Sequence, residues 1–338
     1  MHRLSDFDYN LPPEQIAQHP LPDRAASRLL VLDRATGNTR HLHFGDLVTL
    51  IPAGDLLVLN TSRVIPARLR GKRDTGNAEI LLVRELADGA WLAMGHPGGK
   101  LKPGRRVAFG EDSAVEVVEV LGGGLRKIRF VGALDARATL AKYGAVPLPP
   151  YIRRPPTDAD RQRYQTVYAT HDGSVAAPTA GLHFTTELLA LIRERGVALT
   201  AIDLHVGPGT FKPVETEDLD QHTMHAEAYE ISADAAGWVN KKRRTVWAVG
   251  TTVLRALESA VDANGLVRTG VSETNLFIRP PYDFKVVTRL ITNFHLPRST
   301  LLMLVCAFGR YEPVMAAYRE AVREGYRFYS YGDAMAII

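Results

Sequence analysis

Cysteine is almost absent from this chain of 338 residues, which contains only Cys306. A disulfide framework and a Cys-rich zinc module are therefore excluded, and a reducing compartment, the cytoplasm, is expected. Long apolar runs are also missing, since the longest, residues 301–308, is far shorter than the ~20 residues of a transmembrane helix. Residues 1–7 lack the hydrophobic core of a secretory signal. These absences predict a cytoplasmic globular protein without a membrane-spanning segment.

A large excess of one charge is missing as well. Lys and Arg exceed Asp and Glu by 41 − 37 = 4 residues, and the sequence pI is near 9.1. This excess is weaker than the basic footprint expected of a dedicated nucleic-acid module, so it permits a polyanionic partner without requiring one. Arginines and tyrosines mix between residues 151 and 168, which suits RNA, although composition alone favours a solvated face.

Short apolar runs rich in β-branched residues, separated by glycine turns, occupy residues 56–134. This pattern predicts a small all-β barrel or sandwich. The strands that we predict there cover residues 78–86, 91–94, 106–109, 114–120 and 126–131.

Helix-like and strand-like segments alternate from residue 185 onward, which is typical of an α/β fold. We predict helices at residues 185–195, 232–241, 252–261 and about 312–323, strands at 197–206 and 245–249, and apolar segments at 286–292 and 301–308. Residues 1–55 share this pattern weakly. The predicted fold is therefore a large mixed α/β body, residues 1–65 and 148–338, with an inserted small all-β barrel at residues 66–147. The proline-rich residues 147–156 would be the returning linker.

Five of the eleven histidines lie in turn-rich polar segments, where α/β proteins place their sites. They are His183, His205, His222, His225 and His295. With Glu227, the pair His222 and His225 offers nitrogen and oxygen ligands for a metal ion, which leaves a metal-dependent hydrolase as an alternative. However, the spacing is not the zinc-protease helix motif, and we favour the alternative of hydrogen-bonded histidines in a polar network.

Other chemical motifs are weak. The turn at residues 207–210 lets backbone approach a ligand, but Pro208 removes a donor and no P-loop lysine follows. A Rossmann fingerprint is absent. Cys306 lies in an apolar run, which indicates a buried thiol, and Ser299 lacks a nucleophile elbow. From the residues alone we infer an α/β enzyme with a histidine-rich, glycine-lined site and no assigned reaction.

Eight longer segments, taken in order, carry a resemblance to a known family. They are residues 7–12 (FDYNLP), 27–33 (SRLLVLD), 63–68 (RVIPAR), 176–184 (AAPTAGLHF), 204–211 (LHVGPGTF), 222–227 (HTMHAE), 292–297 (TNFHLP) and 326–334 (YRFYSYGDA). The chain resembles the S-adenosylmethionine:tRNA ribosyltransferase-isomerases of queuosine biosynthesis from about residue 5 to its C-terminus. The resemblance implies a large α/β body with a smaller β-barrel insert.

The resemblance also implies the reaction and the partners. The family transfers and isomerises the ribosyl group of S-adenosylmethionine onto 7-aminomethyl-7-deazaguanine at the tRNA wobble position, giving epoxyqueuosine-tRNA, adenine and methionine. We therefore expect a tRNA with a GUN-type anticodon, S-adenosylmethionine as co-substrate, no prosthetic group, no metal and a monomer. A non-catalytic RNA-binding module is the second alternative.

That chemistry suggests roles for residues in the motifs. Removal of the proton on the carbon beside the sulfonium needs a base such as histidine, and departure of adenine needs a proton donor. The positive charge of the sulfonium needs a nearby carboxylate, for which Glu227 and Asp333 are the candidates. Arg63 and Arg255 would bind the methionine carboxylate. A developing oxyanion would be stabilised by Asn293, Thr300 and backbone N–H groups. The predicted catalytic residues are His183, His205, His225, Glu227, His295 and Asp333. The predicted substrate-binding residues are Arg63, Thr179, Gly207, Gly209, Thr210, Thr251, Arg255, Asn293, Thr300 and Arg327. Structural roles remain open for each, such as a turn cap for Asp333.

Overall fold

A computed structural model describes residues 2–207, 214, 216–224, 226–241 and 245–338. Its strands in this described part are β1 (Arg28–Leu32), β2 (Thr39–His43), β3 (Leu56–Asn60), β4 (Ser62–Val64), β5 (Arg68–Arg73), β6 (Gly76–Glu85), β7 (Trp91–His96), β8 (Arg106–Ala108), β9 (Ser113–Val120), β10 (Leu125–Gly132), β11 (Gly144–Ala145), β12 (His171–Ser174), β13 (Ala198–Leu204), β14 (Glu227–Ile231), β15 (Val246–Val249), β16 (Gly270–Thr274), β17 (Arg289–Asn293) and β18 (Ala334–Ile337). Its α-helices are α1 (Leu47–Leu50), α2 (Ala136–Tyr143), α3 (Asp158–Arg163), α4 (Thr186–Glu194), α5 (Ala233–Val239), α6 (Thr251–Ser259), α7 (Thr300–Gly309) and α8 (Tyr311–Arg323).

A mixed sheet forms the centre of the body. Among the described residues it has nine strands in the order β16-β14-β13-β3-β15-β17-β18-β1-β2, and β13, β3, β15 and β17 run parallel. Along β3, Leu56 and Val58 belong to one apolar core, whereas Leu57 and Leu59 belong to another. Successive side chains of a strand point to opposite faces, so both faces of this sheet are covered. Helix α4 packs on one face, and α5 to α8 pack on the other.

The second sheet closes into a ring. Its described strands follow the order β11-β5-β6-β7-β10-β9-β8, and β8 pairs back onto β5 where Ala108 meets Lys72. The closure requires a glycine, because a Cβ on Gly71 would lie 2.4 Å from the Ala108 carbonyl oxygen. Apolar side chains such as Ile80 and Val117 fill the interior. The predicted mixed α/β fold with an all-β ring is confirmed, and the division of the chain at residues 65 and 147 stays a prediction.

The predicted elements are also confirmed. Strands β6 to β10 cover the five strand runs predicted between residues 78 and 131, and α4, α5, α6 and α8 cover the four predicted helices. Helix α4 starts where the Thr185 side chain accepts a hydrogen bond from the Leu188 N–H group at 3.1 Å, and Gly196, at φ +85°, follows its end. No single described helix is long and apolar enough to cross a membrane, and α7 with α8 passes that test only as a pair bent by 117°.

Candidate active site

A cavity of about 1310 Å³, here called cavity I, is lined by residues of both sheets. The ring contributes β6, β7 and β10, and the body contributes the residues that follow β13 and begin β14. Its charged and aromatic lining residues are Arg84, Glu85, Trp91, Arg129, Phe130, Asp135, Arg137, Asp172, His205 and Glu227, and Gly173 and Gly207 line it as well. Three predicted site residues, His205, Gly207 and Glu227, thus meet in one place.

His205 follows β13 directly and lies in the wall of cavity I. Its backbone N–H group donates to the Ala228 carbonyl oxygen at 3.0 Å, which fixes the main chain. The Nδ1 atom of its imidazole has no hydrogen-bond partner among the described residues. Gly173 lies against this ring, since a Cβ there would be 2.6 Å from both Cε1 and Nδ1 of His205. A partly buried imidazole, with its Nδ1 atom buried against Gly173, therefore borders the cavity.

Glu227 begins β14 and forms a buried ion pair with Arg255 of α6. Its other carboxylate oxygen accepts a hydrogen bond from the Gly207 N–H group at 3.2 Å. Burial lowers the pKa of Arg255 to about 10, so its guanidinium is charged at neutral pH. The structure therefore commits Arg255, a predicted ligand of the methionine carboxylate, to Glu227.

A smaller cavity of about 70 Å³, here called cavity II, lies at the carboxyl ends of β15 and β17. It brings together four predicted residues, Thr179, Thr251, Asn293 and His295. The Asn293 side-chain amide donates to the Tyr329 carbonyl oxygen at 2.9 Å. Val206 lines cavity II while its two neighbours in sequence line cavity I, so the cavities are separated by little more than this segment.

Two predicted catalytic histidines are buried and held neutral at neutral pH. His183 Nδ1 lies 2.8 Å from the Ser27 hydroxyl oxygen, and burial lowers the pKa of this histidine to about 4. His295 Nε2 lies 2.8 Å from the Thr292 hydroxyl oxygen, and burial lowers its pKa to about 3. A general base works best with a pKa near the operating pH, so these environments favour positioning roles.

Four further predicted residues that the structure describes, Asp333, Arg327, Arg63 and Thr300, do not line either cavity. The Asp333 carboxylate accepts hydrogen bonds from the Arg28 and Arg327 backbone N–H groups at 2.9 and 2.8 Å, and burial raises its pKa. Arg327 donates to the His19 carbonyl oxygen. Arg63 is half exposed and lies 3.7 Å from the carboxylate of Asp172, which lines cavity I. Thr300 is the first residue of α7. Gly209, Thr210 and His225 lie outside the described residues.

Several cavity residues were not predicted from the sequence. Arg84, Trp91 and Arg129 belong to the ring, where no motif marks them because their position depends on how the ring packs against the body. Gly173 carries no signal of its own, whereas Thr252 follows the predicted Thr251 in a turn-rich polar segment and was not itself predicted as a site residue. Among the described residues, no group of three or more His, Cys, Asp or Glu side chains is arranged to hold a metal ion, and His225 of the alternative metal cluster lies outside them.

Comparison with known proteins assigns the family. A family model described as "Queuosine biosynthesis protein" matches residues 4–337. The chain belongs to this queuosine biosynthesis family. A Syntrophomonas wolfei relative is 49% identical, with 100% of this chain and 98% of the relative covered, and an Anaeromyxobacter sp. relative is 51% identical, with 99% of each covered. Both are named S-adenosylmethionine:tRNA ribosyltransferase-isomerase.

A solved member of the queuosine biosynthesis family has a related fold. The crystal structure of S-adenosylmethionine tRNA ribosyltransferase from Thermotoga maritima is 38% identical in sequence, and the match covers 98% of this chain and 100% of that one. The TM-score is 0.57. The resemblance recognised in the sequence motifs is therefore confirmed along the whole chain.

Proposed function

We propose that this protein is an S-adenosylmethionine:tRNA ribosyltransferase-isomerase. It transfers and isomerises the ribosyl group of S-adenosylmethionine onto 7-aminomethyl-7-deazaguanine at the wobble position of tRNA, giving epoxyqueuosine-tRNA and releasing adenine and methionine. Membership of the queuosine biosynthesis family over the full chain carries this proposal. We further propose a GUN-type anticodon in the tRNA, a cytoplasmic location and a monomer.

Cavity I is the proposed meeting place of the two substrates. Sites that hold one drug-sized ligand commonly measure roughly 300–1,000 Å³. At about 1310 Å³, cavity I leaves room for a nucleoside co-substrate and an entering base. Its ring wall offers the cations Arg84 and Arg129 beside the indole of Trp91, whose Nε1 atom has no hydrogen-bond partner in the described part of the chain. Cations and aromatic faces are the groups that recognise phosphates and unstacked bases in RNA.

His205 is the proposed base that removes the proton beside the sulfonium. It lines cavity I and is only partly buried, whereas the pKa values of His183 and His295, about 4 and 3, make them weak bases at neutral pH. His225 stays a proposed catalytic residue. Glu227 is the proposed neighbour of the sulfonium, because it lines cavity I, while the Asp333 oxygens accept backbone hydrogen bonds elsewhere.

The test is an assay with authentic substrates. The protein is incubated with S-adenosylmethionine and tRNA carrying 7-aminomethyl-7-deazaguanine, and adenine, methionine and the modified nucleoside are measured by mass spectrometry. The same tRNA with guanine at that position is the control and should give no product. Binding of tRNA without adenine release would overturn the proposal and favour an RNA-binding module.

His205→Gln tests the proposed base. Because general base catalysis typically contributes about 10²–10⁴-fold, we expect kcat to fall by at least about 100-fold. The urea midpoint of the variant should stay close to that of the wild-type protein. Turnover at the wild-type rate would remove His205 from the mechanism.

A further inference from the structure

Cavity II contains the open N-terminal end of a helix. Helix α6 has nine residues, its N-cap position is Gly250 at φ +94°, and no side chain caps it. The first N–H groups of a helix have no intrahelical acceptor and carry a partial positive charge. Gly250, Thr251 and Thr252 all line the cavity. This end of α6 therefore offers donors that nothing in the described part of the chain uses as a cap.

A second, independent observation lies at the same place. Thr252 is only 9% exposed, and its hydroxyl Oγ1 is buried without a hydrogen-bond partner among the described residues. A Cβ on Gly250 would lie 3.5 Å from this oxygen, so the hydroxyl lies toward the open end of the helix. A buried hydroxyl without a partner costs free energy, and a bound acceptor would remove that cost.

The size and the lining of cavity II suit a small hydrogen-bond acceptor. Among its described lining residues there is no Asp or Glu, and the polar groups nearest the helix end include the hydroxyls of Thr251 and Thr252. The Asn293 amide nitrogen already donates to the Tyr329 carbonyl oxygen, so Asn293 supplies no free donor. A single water needs about 10–15 Å³, so a cavity of about 70 Å³ holds about five water-sized groups. That is the size of an α-amino acid head group. Apolar residues such as Val206 and Leu301 form part of the wall and suit methylene groups.

We infer that the N-terminus of α6, with the Thr252 hydroxyl, is the binding site for the α-carboxylate of the methionine part of S-adenosylmethionine, an inference that rests on the proposed function. Thr251 and Arg255 are four residues apart on one face of α6, and at 1.5 Å per residue their axial separation is about 6 Å. Arg255 holds Glu227, the proposed neighbour of the sulfonium. The short carbon chain of methionine is long enough for that separation, so with its carboxylate in cavity II its sulfur would lie against the Val206 segment, on the side of Glu227.

Decarboxylated S-adenosylmethionine is the discriminating probe. Its dissociation constant and that of S-adenosylmethionine are measured by calorimetry for the wild-type protein, Thr252→Val and Thr252→Ser. Loss of the carboxylate should weaken binding about 10- to 100-fold in the wild-type protein, as expected for hydrogen bonds to a charged group. Thr252→Val keeps the side-chain shape and removes the hydroxyl, so it should weaken the binding of S-adenosylmethionine alone. The ratio of the two dissociation constants should therefore fall about 3- to 10-fold. Thr252→Ser should restore the ratio.

The matched control is Thr292→Val. Thr292 also lines cavity II, but its hydroxyl is already paired with His295, so this change should leave the ratio between the two ligands as in the wild-type protein. Equal affinity of the two ligands for the wild-type protein would overturn the inference. Equal weakening of both ligands by Thr252→Val would overturn it as well.

A further measurement separates this inference from the proposed function. If the folded protein binds neither S-adenosylmethionine nor its decarboxylated form, the proposed function fails. The carboxylate site is then tested separately by titration with L-methionine and with its alcohol, L-methioninol. Amide NMR signals of residues 251–253 that shift with L-methionine and not with L-methioninol would support the site. No response of these signals to L-methionine would overturn it.

Discussion

Lowering the pH from 7 to 5 should destabilise this protein through two buried histidines. Burial lowers the pKa of His183 to about 4 and that of His295 to about 3, from an ordinary value of 6.5. The unfolded chain therefore takes up two protons as the pH falls through 6.5, while the folded protein still excludes them. The stability that these neutral rings contribute is complete above pH 6.5 and is lost as the pH falls toward the folded-state pKa values.

The magnitude follows from the pKa difference. One pKa unit corresponds to about 1.4 kcal/mol, and pH 5 lies 1.5 units below the ordinary value yet above both folded-state values. Each histidine should then cost about 2 kcal/mol of unfolding free energy, and the two together about 4 kcal/mol. Total stabilities are commonly about 5–15 kcal/mol, so this loss is large.

Urea unfolding of the wild-type protein and His183→Gln at pH 7 and pH 5 measures the effect. Between the two pH values the variant should lose about 2 kcal/mol less than the wild-type protein, whatever its stability at pH 7. Ser27→Ala is the matched control, because it removes the hydroxyl beside His183 Nδ1 and keeps the titrating ring. An identical pH dependence in the wild-type protein and His183→Gln would refute the reasoning.

Two substitutions near cavity I test its geometry. Arg255→Met removes the cation from the buried Glu227 carboxylate and should lower the unfolding free energy, measured in urea, by about 3–5 kcal/mol. The double variant with Glu227→Gln should regain much of that loss, and no recovery would contradict the role of the pair. Gly173→Ala should displace the His205 ring and lower kcat, with little further loss when His205→Gln is already present. Gly270→Ala is the control, because Gly270 also has a positive φ, +107°, but has open space around it. If Gly173→Ala lowered kcat by the same factor with and without His205→Gln, the contact between Gly173 and the His205 ring would be contradicted.

The elements of this fold followed from local patterns wherever the pattern was complete. Strand β6 and helix α4 have clear periodicity and clear stops, and both lie where the sequence predicts them. Strand β5 was not predicted because its sequence, RLRGKR, is mostly charged. Only Leu69 of that strand is fully buried, and its pairing with β6 and β8 determines its conformation. Long-range pairing of this kind leaves little trace in the local sequence.

The candidate site was predictable as a set of motifs and not as an arrangement. His183 and His295 were found by their motifs, but their burial and their lowered pKa values depend on packing between distant segments. The ring residues Arg84 and Trp91 became part of cavity I only through the position of the ring against the body. Residue types and order therefore indicated the chemistry, while tertiary packing decided which groups share a cavity.

The position of β18 has a consequence for how the chain is made. In the described sheet, β18 pairs with β1 on one side and β17 on the other, so the hairpin β1–β2 joins the body through residues 334–337. About 300 residues separate β1 from β18, and at about 5–20 residues per second the ribosome needs about 15–60 s to produce them. During that time the apolar segment Arg28–Leu32 has no strand partner except β2. Until β18 emerges from the ribosome, one side of β1 therefore has no strand of this sheet to pair with.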